Sequence, residues 1–233
     1  MATIKVMSGG APKEVFGALT PQLEAKTGHK VEYVFAVMSA LRDRLAGGEK
    51  ADVLVMPTNI LDAYQQSGAV RAEGRGILGL VSVNAVVRAG ALKPDLSTVD
   101  AVKQAMLNAR AVVFATPGAT PSGTHMGKLI EQLGMADAMK GKIIHRPALE
   151  GGVELVAGGE AELGFYPKSE VISATGLALV GPLPDQIQLT TIYGAAVTTS
   201  SDAPDPGEAF IAFMRDAANR AVWTRGGFDP PPA

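Results

Sequence analysis

Hydroxyl side chains and glycines gather where predicted strands give way to helices. Ser8, Gly9 and Gly10 follow the first apolar strand, and Ser39 stands at the head of the second helix, where an N-cap residue belongs. At such junctions, backbone N–H groups and hydroxyls can hold an anion without a counter-charge, because aligned peptide dipoles supply positive potential. The alternative is an ordinary turn, in which Ser39 caps its own helix.

Two further groups of the same kind follow later strands. The segment 116–124 is the densest cluster of turn residues and hydroxyls, and it precedes a helix expected from about His125 to Leu133. Tyr166 closes another predicted strand. The sequence therefore predicts a site for a small anion. The predicted ligand-binding residues are Ser8, Gly9, Ser39, Ser122, Gly123, Thr124, Tyr166 and Arg146.

Arg146 is the leading charged candidate in this set. It follows His145 at the end of a short strand and precedes Pro147, a position from which its planar guanidinium could meet a carboxylate or an oxyanion. The alternative is a surface ion pair with an acidic neighbour such as Glu150. His125 could also donate to an anion, or could lie at a solvated helix end.

The residues that would define other chemistries do not occur in a recognisable pattern. The chain has no cysteine, its three histidines fit no zinc signature, and it contains no nucleophile elbow, Walker loop or dinucleotide fingerprint. We therefore predict no metal, no cofactor and no catalytic triad.

Composition narrows the possible partners. The 233 residues are 47% hydrophobic, and 21 basic residues against 23 acidic ones give a net charge of -2 without a block of like charge. A nucleic-acid binder or a membrane-surface binder would show a basic patch. No apolar run approaches the roughly 18 residues that a membrane span requires. We therefore predict no nucleic-acid partner and no membrane insertion.

The pattern of elements that would position these residues predicts two α/β halves. Strands and helices alternate, and the strands are apolar runs, which favours parallel sheets covered on both faces. We predict two doubly wound lobes with a ligand cleft between them: lobe I over residues 1–80 and 195–233, and lobe II over 81–194. A long strand over Ile187 to Val197 and an amphipathic helix over Pro206 to Trp223 return the chain to lobe I.

Several blocks of the sequence resemble, in the same order, those of bacterial periplasmic molybdate-binding proteins. They are Met7-Ser8, the segments 35–41 and 51–59, the block 159–166 (GEAELGFY), and the segment from Tyr193 to Phe228. The order of the blocks across nearly the whole chain is more specific than any one of them. The resemblance implies a type II periplasmic-binding fold and the role of substrate-binding component of an ABC importer.

The resemblance also implies which positions hold the ligand. These are the positions of Ser8, Ser39, the loop from Pro121 to Thr124, and Tyr166. Met38 stands where the family often has a second serine, and the loop differs from the family's Pro-Ala-Gly. A carboxylate would suit the altered site as well as molybdate or tungstate, so the expected partners are a small anion of one of these kinds and an ABC permease.

Two readings of the function remain open on the sequence alone. The chain enters its first strand by Ile4, so we expect a periplasmic protein if a signal peptide was removed and a cytoplasmic one if the sequence is full length. In the cytoplasm, the same fold could serve as an anion sensor or as an isomerase or lyase of a small organic acid. Its acid or base would then be Glu150, His125 or His145.

Overall fold

A computed structural model describes residues 1–147 and 151–231, which divide into two compact units. Unit 1 contains residues 1–81 and 191–233, and unit 2 contains residues 82–190. The chain passes from the first unit into the second within one long strand and returns near the start of another. The predicted lobe boundaries, at 80/81 and 194/195, fall in these same two strands.

Unit 1 begins with alternating strands and helices. They are β1 (Thr3–Ser8), α1 (Lys13–Thr27), β2 (Lys30–Phe35), α2 (Met38–Ala46), β3 (Val53–Pro57), α3 (Thr58–Gln66) and β4 (Gly76–Arg88). Strands β1, β2 and β3 pair in parallel. The helices α1, α2 and α3 therefore all begin at one edge of the sheet, where these strands end.

Unit 2 continues from β4. Its elements are α4 (Val99–Asn108), β5 (Val112–Ala115), α5 (Pro121–Gln132), α6 (Ala136–Met139), β6 (Ile143–Arg146), α7 (Gly152–Gly158), β7 (Leu163–Pro167), α8 (Lys168–Val171) and β8 (Leu177–Pro182). Strand β5 pairs in parallel with β6 and with β7, whereas β4 pairs antiparallel with β7 and with β8. Helices α5, α7 and α8 follow the three parallel strands and begin beyond the same edge.

The chain returns to unit 1 through β9 (Thr190–Val197), which pairs antiparallel with β3, and then forms α9 (Pro204–Met214) and α10 (Arg220–Arg225). The pairs β9–β3, β4–β7 and β4–β8 are antiparallel, so the sheets are mixed rather than purely parallel. No helix within the described residues is long and apolar enough to cross a membrane.

Each sheet is buried on both faces, as its apolar runs predict. In β3, Val53 and Val55 pack into one hydrophobic cluster and Leu54 and Met56 into another, because alternate side chains point to opposite faces of a strand. In unit 2, Phe114 and Phe165 lie in one cluster and Tyr166 in a second. Hydrophobic clusters on both faces of the strands therefore support the strand ends at which the predicted site residues lie.

Two predicted elements are shorter than expected. The predicted strand from Ile187 starts only at Thr190, because a 3-10 turn over Asp185–Ile187 follows Pro184. The Gln188 side chain donates to the Val83 carbonyl and accepts from the Val83 amide, which holds that turn against β4. The predicted helix over Pro206 to Trp223 is divided into α9 and α10, because a second 3-10 turn, over Ala217–Asn219, separates them.

Candidate functional site

The helices that begin at the carboxyl edge of the unit 1 sheet have no side-chain caps. The residues before α1, α2 and α3 are Pro12, Val37 and Pro57, none of which accepts a hydrogen bond with its side chain. In unit 2, Thr98 and Thr120 cap α4 and α5, whereas α6, α7 and α8 have no side-chain cap. The uncapped first turns keep N–H groups that an anion could accept from.

Ser8 and Gly9 lie at this edge, at the end of β1. Ser8 is fully buried, and its hydroxyl donates to the Gly9 carbonyl over 2.9 Å. The Gly9 amide is used within the sheet, where it donates to the Val55 carbonyl. A β-carbon at Gly9 would lie 2.6 Å from Met38 Cε and 3.3 Å from the Tyr193 hydroxyl. A side chain at this position would displace the end of the Met38 side chain and press on the Tyr193 hydroxyl.

The prediction that Ser39 is the N-cap residue of α2 is wrong. The helix begins at Met38, and the extended residue Val37 precedes it, so Ser39 is the second residue of the helix. It is half-buried in the uncapped first turn. Ser39 therefore does not cap its own helix. Its amide and its hydroxyl both belong to the first turn of α2, which follows the end of β2.

Helix α5 begins four residues earlier than predicted, at Pro121 instead of His125, because Thr120 caps it and Pro121 fits the first helical position. The Thr120 hydroxyl accepts from the Gly123 amide over 3.0 Å and lies 3.2 Å from the Ser122 hydroxyl. Ser122 is 5% exposed. Predicted ligand residues thus occupy the first turn of a helix rather than a loop.

Gly123 and Thr124 have local partners in this turn. A β-carbon at Gly123 would overlap the Ala115 carbonyl oxygen at the end of β5. The Thr124 hydroxyl donates to the Thr120 carbonyl and accepts from the Gly118 amide, each over 2.9 Å. These two residues hold the turn against β5, and their contact with a ligand stays a prediction.

Arg146 lies at the end of β6, beyond the same edge of the unit 2 sheet. It is half-buried, and its Nη1 donates to the His145 carbonyl over 3.4 Å. Its Nε would lie 3.3 Å from a β-carbon at Gly151. Among the described residues Arg146 has no ion pair. Glu150, the partner that the sequence suggested, lies outside the described residues.

The histidines are placed differently from expectation. His125 is within α5, and its Nε2 donates to the Ile187 carbonyl over 2.8 Å, so this ring nitrogen is occupied. His145 is exposed, and its ring meets the Phe114 ring edge-on at 4.9 Å. Neither ring is placed as a donor at the first turn of α5.

Tyr166, in β7, is one of the buried predicted ligand residues of unit 2. It is 1% exposed, yet its hydroxyl forms no hydrogen bond with any described residue. Burial raises the pKa of Tyr166 above its usual value; Glu170 and Glu154 raise it further, and Arg146 opposes them. The hydroxyl is thus a neutral donor for which the described part of the chain provides no acceptor.

Sequence reasoning missed the residues that follow Tyr166. Ser169, on α8, is 3% exposed, and its hydroxyl also has no partner among the described residues. Burial raises the pKa of the neighbouring Glu170 carboxyl to about 7. Ser169 and Glu170 stand two and three residues after Pro167, the last residue of β7, and this nearness to a strand end was the available sequence signal.

Asn84 was also missed. It is 2% exposed in the middle of β4 and lies opposite Tyr166 in the antiparallel register. Directly opposed side chains lie on the same face of a sheet. The Asn84 amide donates to the Ser82 hydroxyl over 3.0 Å. Ser82 and Asn84 are two residues apart in an otherwise apolar strand. This spacing was the sequence signal that two polar side chains share one face of β4.

Comparison with known proteins identifies the class. The periplasmic molybdate-binding protein of Azotobacter vinelandii has a TM-score of 0.81 to this chain at 19% identity, over 98% of this chain and 100% of that one. This similarity confirms the predicted α/β fold of type II periplasmic binding proteins. The chain belongs to the family of bacterial extracellular solute-binding proteins, whose profile matches residues 4–229.

Two characterised relatives point to different ligands. An aconitate isomerase from a Pseudomonas species is 32% identical over 241 residues, which cover 100% of this chain and 90% of that protein. The molybdate-binding protein ModA of Rhodobacter capsulatus is 28% identical over 167 residues, 71% of this chain and 63% of that protein. The predicted resemblance to molybdate-binding proteins is confirmed, and an enzyme of organic acids is similar over the greater length.

Proposed function

We propose that this protein binds a small organic anion with several carboxylates, of the size and charge of aconitate. The observation that carries the proposal is the buried Tyr166 hydroxyl, which forms no hydrogen bond within residues 1–147 and 151–231. A buried polar group with no hydrogen bond costs about 1–3 kcal/mol. A ligand oxygen that accepts from this hydroxyl would remove that cost.

The surroundings of Tyr166 favour a carboxylate. Arg146 is the half-buried cation at the same edge of the unit 2 sheet and has no ion pair among the described residues. A guanidinium binds a carboxylate through two parallel hydrogen bonds. In unit 1, Ser8 and Ser39 stay predicted ligand residues, and the helices α1 and α2 that follow β1 and β2 have no side-chain caps.

The predicted ligand residues of unit 1 depart from those of the resembling molybdate-binding proteins at the residue that precedes Ser39. Met38 is 7% exposed, and it fills the space beside Gly9 with a thioether instead of a hydroxyl. An oxyanion held wholly by neutral donors loses one of them by this replacement. The whole-length similarity to an aconitate isomerase supports the same choice of ligand.

Two roles are compatible with binding such an anion. As a member of a solute-binding family, the protein could capture the anion for an ABC permease. As a relative of an aconitate isomerase, it could convert the anion. Glu170, on α8, favours the second role, because desolvation raises the pKa of its carboxyl to about 7 and an isomerase needs a group that carries a proton near neutral pH.

The proposal is tested by calorimetric titration with cis-aconitate, trans-aconitate, citrate, molybdate, tungstate and sulfate. We expect a tricarboxylate to bind more tightly than any of the three inorganic anions. Tight binding of molybdate, with no heat from any carboxylate, would overturn the proposal in favour of an oxyanion-binding protein.

A pair of tyrosine variants localises the site. Y166F removes the buried hydroxyl, and we expect the tricarboxylate Kd to rise about tenfold, which is ~1.4 kcal/mol. The free protein should unfold at the same temperature or a higher one, because the hydroxyl has no partner to lose. Y64F is the control, since Tyr64 is only half-buried and lies on α3. Equal affinity of Y166F and wild type would remove Tyr166 from the site.

A further inference from the structure

Unit 2 contains a cavity of about 740 Å³ at the sheet edge opposite the candidate site residues of that unit. The cavity lies among the end of β4, the segment 89–94, the last turn of α4 and the turn before β7. Strands β5 and β7 begin beside it, whereas Arg146 and Tyr166 lie near the ends of β6 and β7. Its volume is within the range of roughly 300–1,000 Å³ that is typical of small-molecule sites.

Most of the cavity wall is apolar. Val87 and Leu163 belong to the antiparallel strands β4 and β7, and Ala105 and Ala109 lie at the end of α4. Leu92, in the loop after β4, also lines the cavity but is 97% exposed. Because burial of a leucine side chain is favourable, an apolar ligand in the cavity would gain by covering Leu92. The wall therefore suits a ligand with a hydrocarbon body.

The charged groups of the wall leave one positive charge unpaired. These groups are Arg88, Arg110 and Glu162. The Arg110 Nε donates to the Glu162 carboxylate over 2.6 Å, so these two charges offset each other. The Arg88 guanidinium forms no ion pair or hydrogen bond with any residue of 1–147 or 151–231. The net charge of the wall is therefore positive, which complements an anion.

Arg88 is the last residue of β4, and its guanidinium lies against the end of α7. Its Nη1 would be 3.4 Å from a β-carbon at Gly159, the C-cap residue of α7. Gly159 has a φ of 83°, which disfavours any side chain, so the guanidinium lies over bare backbone. A guanidinium held at the cavity wall in this way can donate two parallel hydrogen bonds to one carboxylate.

We propose that this cavity binds an amphipathic monocarboxylate, such as a medium-chain fatty acid, with its carboxylate on Arg88 and its chain against the apolar wall and Leu92. One carboxylate matches the single unpaired charge. A polycarboxylate would place further charges against apolar groups, which costs free energy when they have no partners. This site thus takes a different class of anion from the candidate site and does not depend on the proposed function.

The test uses octanoate as the probe, with acetate and 1-octanol as the ligands that lack its chain or its charge. Titration followed by ¹H–¹⁵N NMR of the full chain measures the Kd and identifies the amides that respond. We expect octanoate to shift the amides of 88–92, 108–110 and 159–163. Acetate and octanol should each bind at least about tenfold more weakly.

R88M removes the charge and keeps an apolar stem. It should raise the octanoate Kd at least about tenfold and leave the octanol Kd unchanged, because only the carboxylate uses the guanidinium. R42M is the matched control, since Arg42 is an exposed arginine of α2 and does not line the cavity. Its octanoate Kd should equal that of wild type.

A second pair of variants fills the space instead of changing its charge. A105F adds a ring at a position that lines the cavity, and it should abolish the octanoate shifts. Q104F adds the same ring at an exposed neighbouring position of α4 outside the cavity, and it should bind octanoate as wild type does. The unfolding temperatures of the two variants show whether each keeps its fold.

Several results would overturn the proposal. They are an octanoate Kd above about 10 mM for wild type, equal binding of octanoate by R88M and wild type, and binding of octanol or acetate as tight as that of octanoate. Y166F should bind octanoate as wild type does, and loss of octanoate binding in Y166F would place the fatty acid at the candidate site instead. Failure of octanoate to bind leaves the tricarboxylate titration unaffected, so the two proposals fail separately.

Discussion

The hydroxyl of Tyr166 occupies the space in which residue 152 would carry a β-carbon. A β-carbon built on Gly152, the first residue of α7, would overlap the Tyr166 hydroxyl oxygen and lie 3.1 Å from Cζ. Gly152 has no side chain, so its backbone closes over the tyrosine. The start of α7 and the end of β7 are thereby fixed to each other by one ring.

This contact predicts a compensating pair of variants. G152A should lower the free energy of unfolding by about 1–3 kcal/mol, because an added methyl group overpacks a filled site. Y166F should restore most of the loss, since it removes the overlapping oxygen. Urea denaturation of the two single variants and the double variant measures the coupling. Strictly additive changes would show that the two groups do not meet in solution.

A control for G152A is available in α1. A β-carbon at Gly17 meets no atom within 4 Å, and the residue lies inside the helix. G17A should therefore stabilise the protein by about 0.5–1 kcal/mol, as alanine does over glycine in a helix interior. Loss of stability in both alanine variants would point to a general effect of the substitution rather than to Tyr166.

The Glu170 carboxyl predicts a dependence of stability on pH. Its pKa is about 7 in the folded protein, against an ordinary value of 4.5. Folding thus favours the protonated form, so this stability is fully present below pH 4.5 and is lost as pH rises through about 7. The loss by pH 8 is at most about 3 kcal/mol.

E170Q isolates this dependence, because glutamine is neutral at every pH. The unfolding free energies of E170Q and wild type should be similar near pH 4.5, and E170Q should be the more stable protein at pH 8. Denaturation curves at pH 4.5, 6, 7 and 8 provide the measurement. A constant difference across that range would mean that Glu170 titrates normally.

The fold could be predicted from the sequence because apolar runs determine strands, and glycine-rich breaks determine turns, within a few neighbouring residues. The runs at β1, β3 and β5 are buried on both faces, and each break before a helix follows from residue type. The antiparallel pairing of β9 with β3 could not be read in this way, because pairing direction depends on where a strand returns, not on its own composition.

The candidate site was predicted in part for the same reason. Ser8 and Tyr166 could be found because they end apolar strands. Glu170 could not, because a lone glutamate four residues after a strand residue has no sequence signature, and the burial that raises its pKa arises only in the folded protein. The role of Ser39 was misread because Val37, an unusual N-cap residue, precedes the helix, so that the N-cap lies two positions earlier than expected.

Met38 predicts a change of ligand preference. M38S would place a hydroxyl beside Gly9, where the resembling molybdate-binding proteins often have a serine. We expect the ratio of molybdate to tricarboxylate affinity to rise in M38S, as measured by calorimetry with both ligands. The loss of a buried methionine should cost about 2–3 kcal/mol of stability. M56S, a buried methionine of the same cluster, is the control for stability loss alone.

Comparison of the caps of α5 and α4 can distinguish a purely structural role of Thr120 from a role in positioning the ligand. Thr120 and Thr98 cap α5 and α4 in the same manner, and each side chain accepts from the amide three residues on. T120A and T98A should each lower the free energy of unfolding by about 1 kcal/mol. Only T120A should also weaken tricarboxylate binding, because Thr120 alone contacts the Ser122 hydroxyl and the Gly123 amide. If calorimetry gave the two variants equal Kd values, the first turn of α5 would have no part in binding the anion.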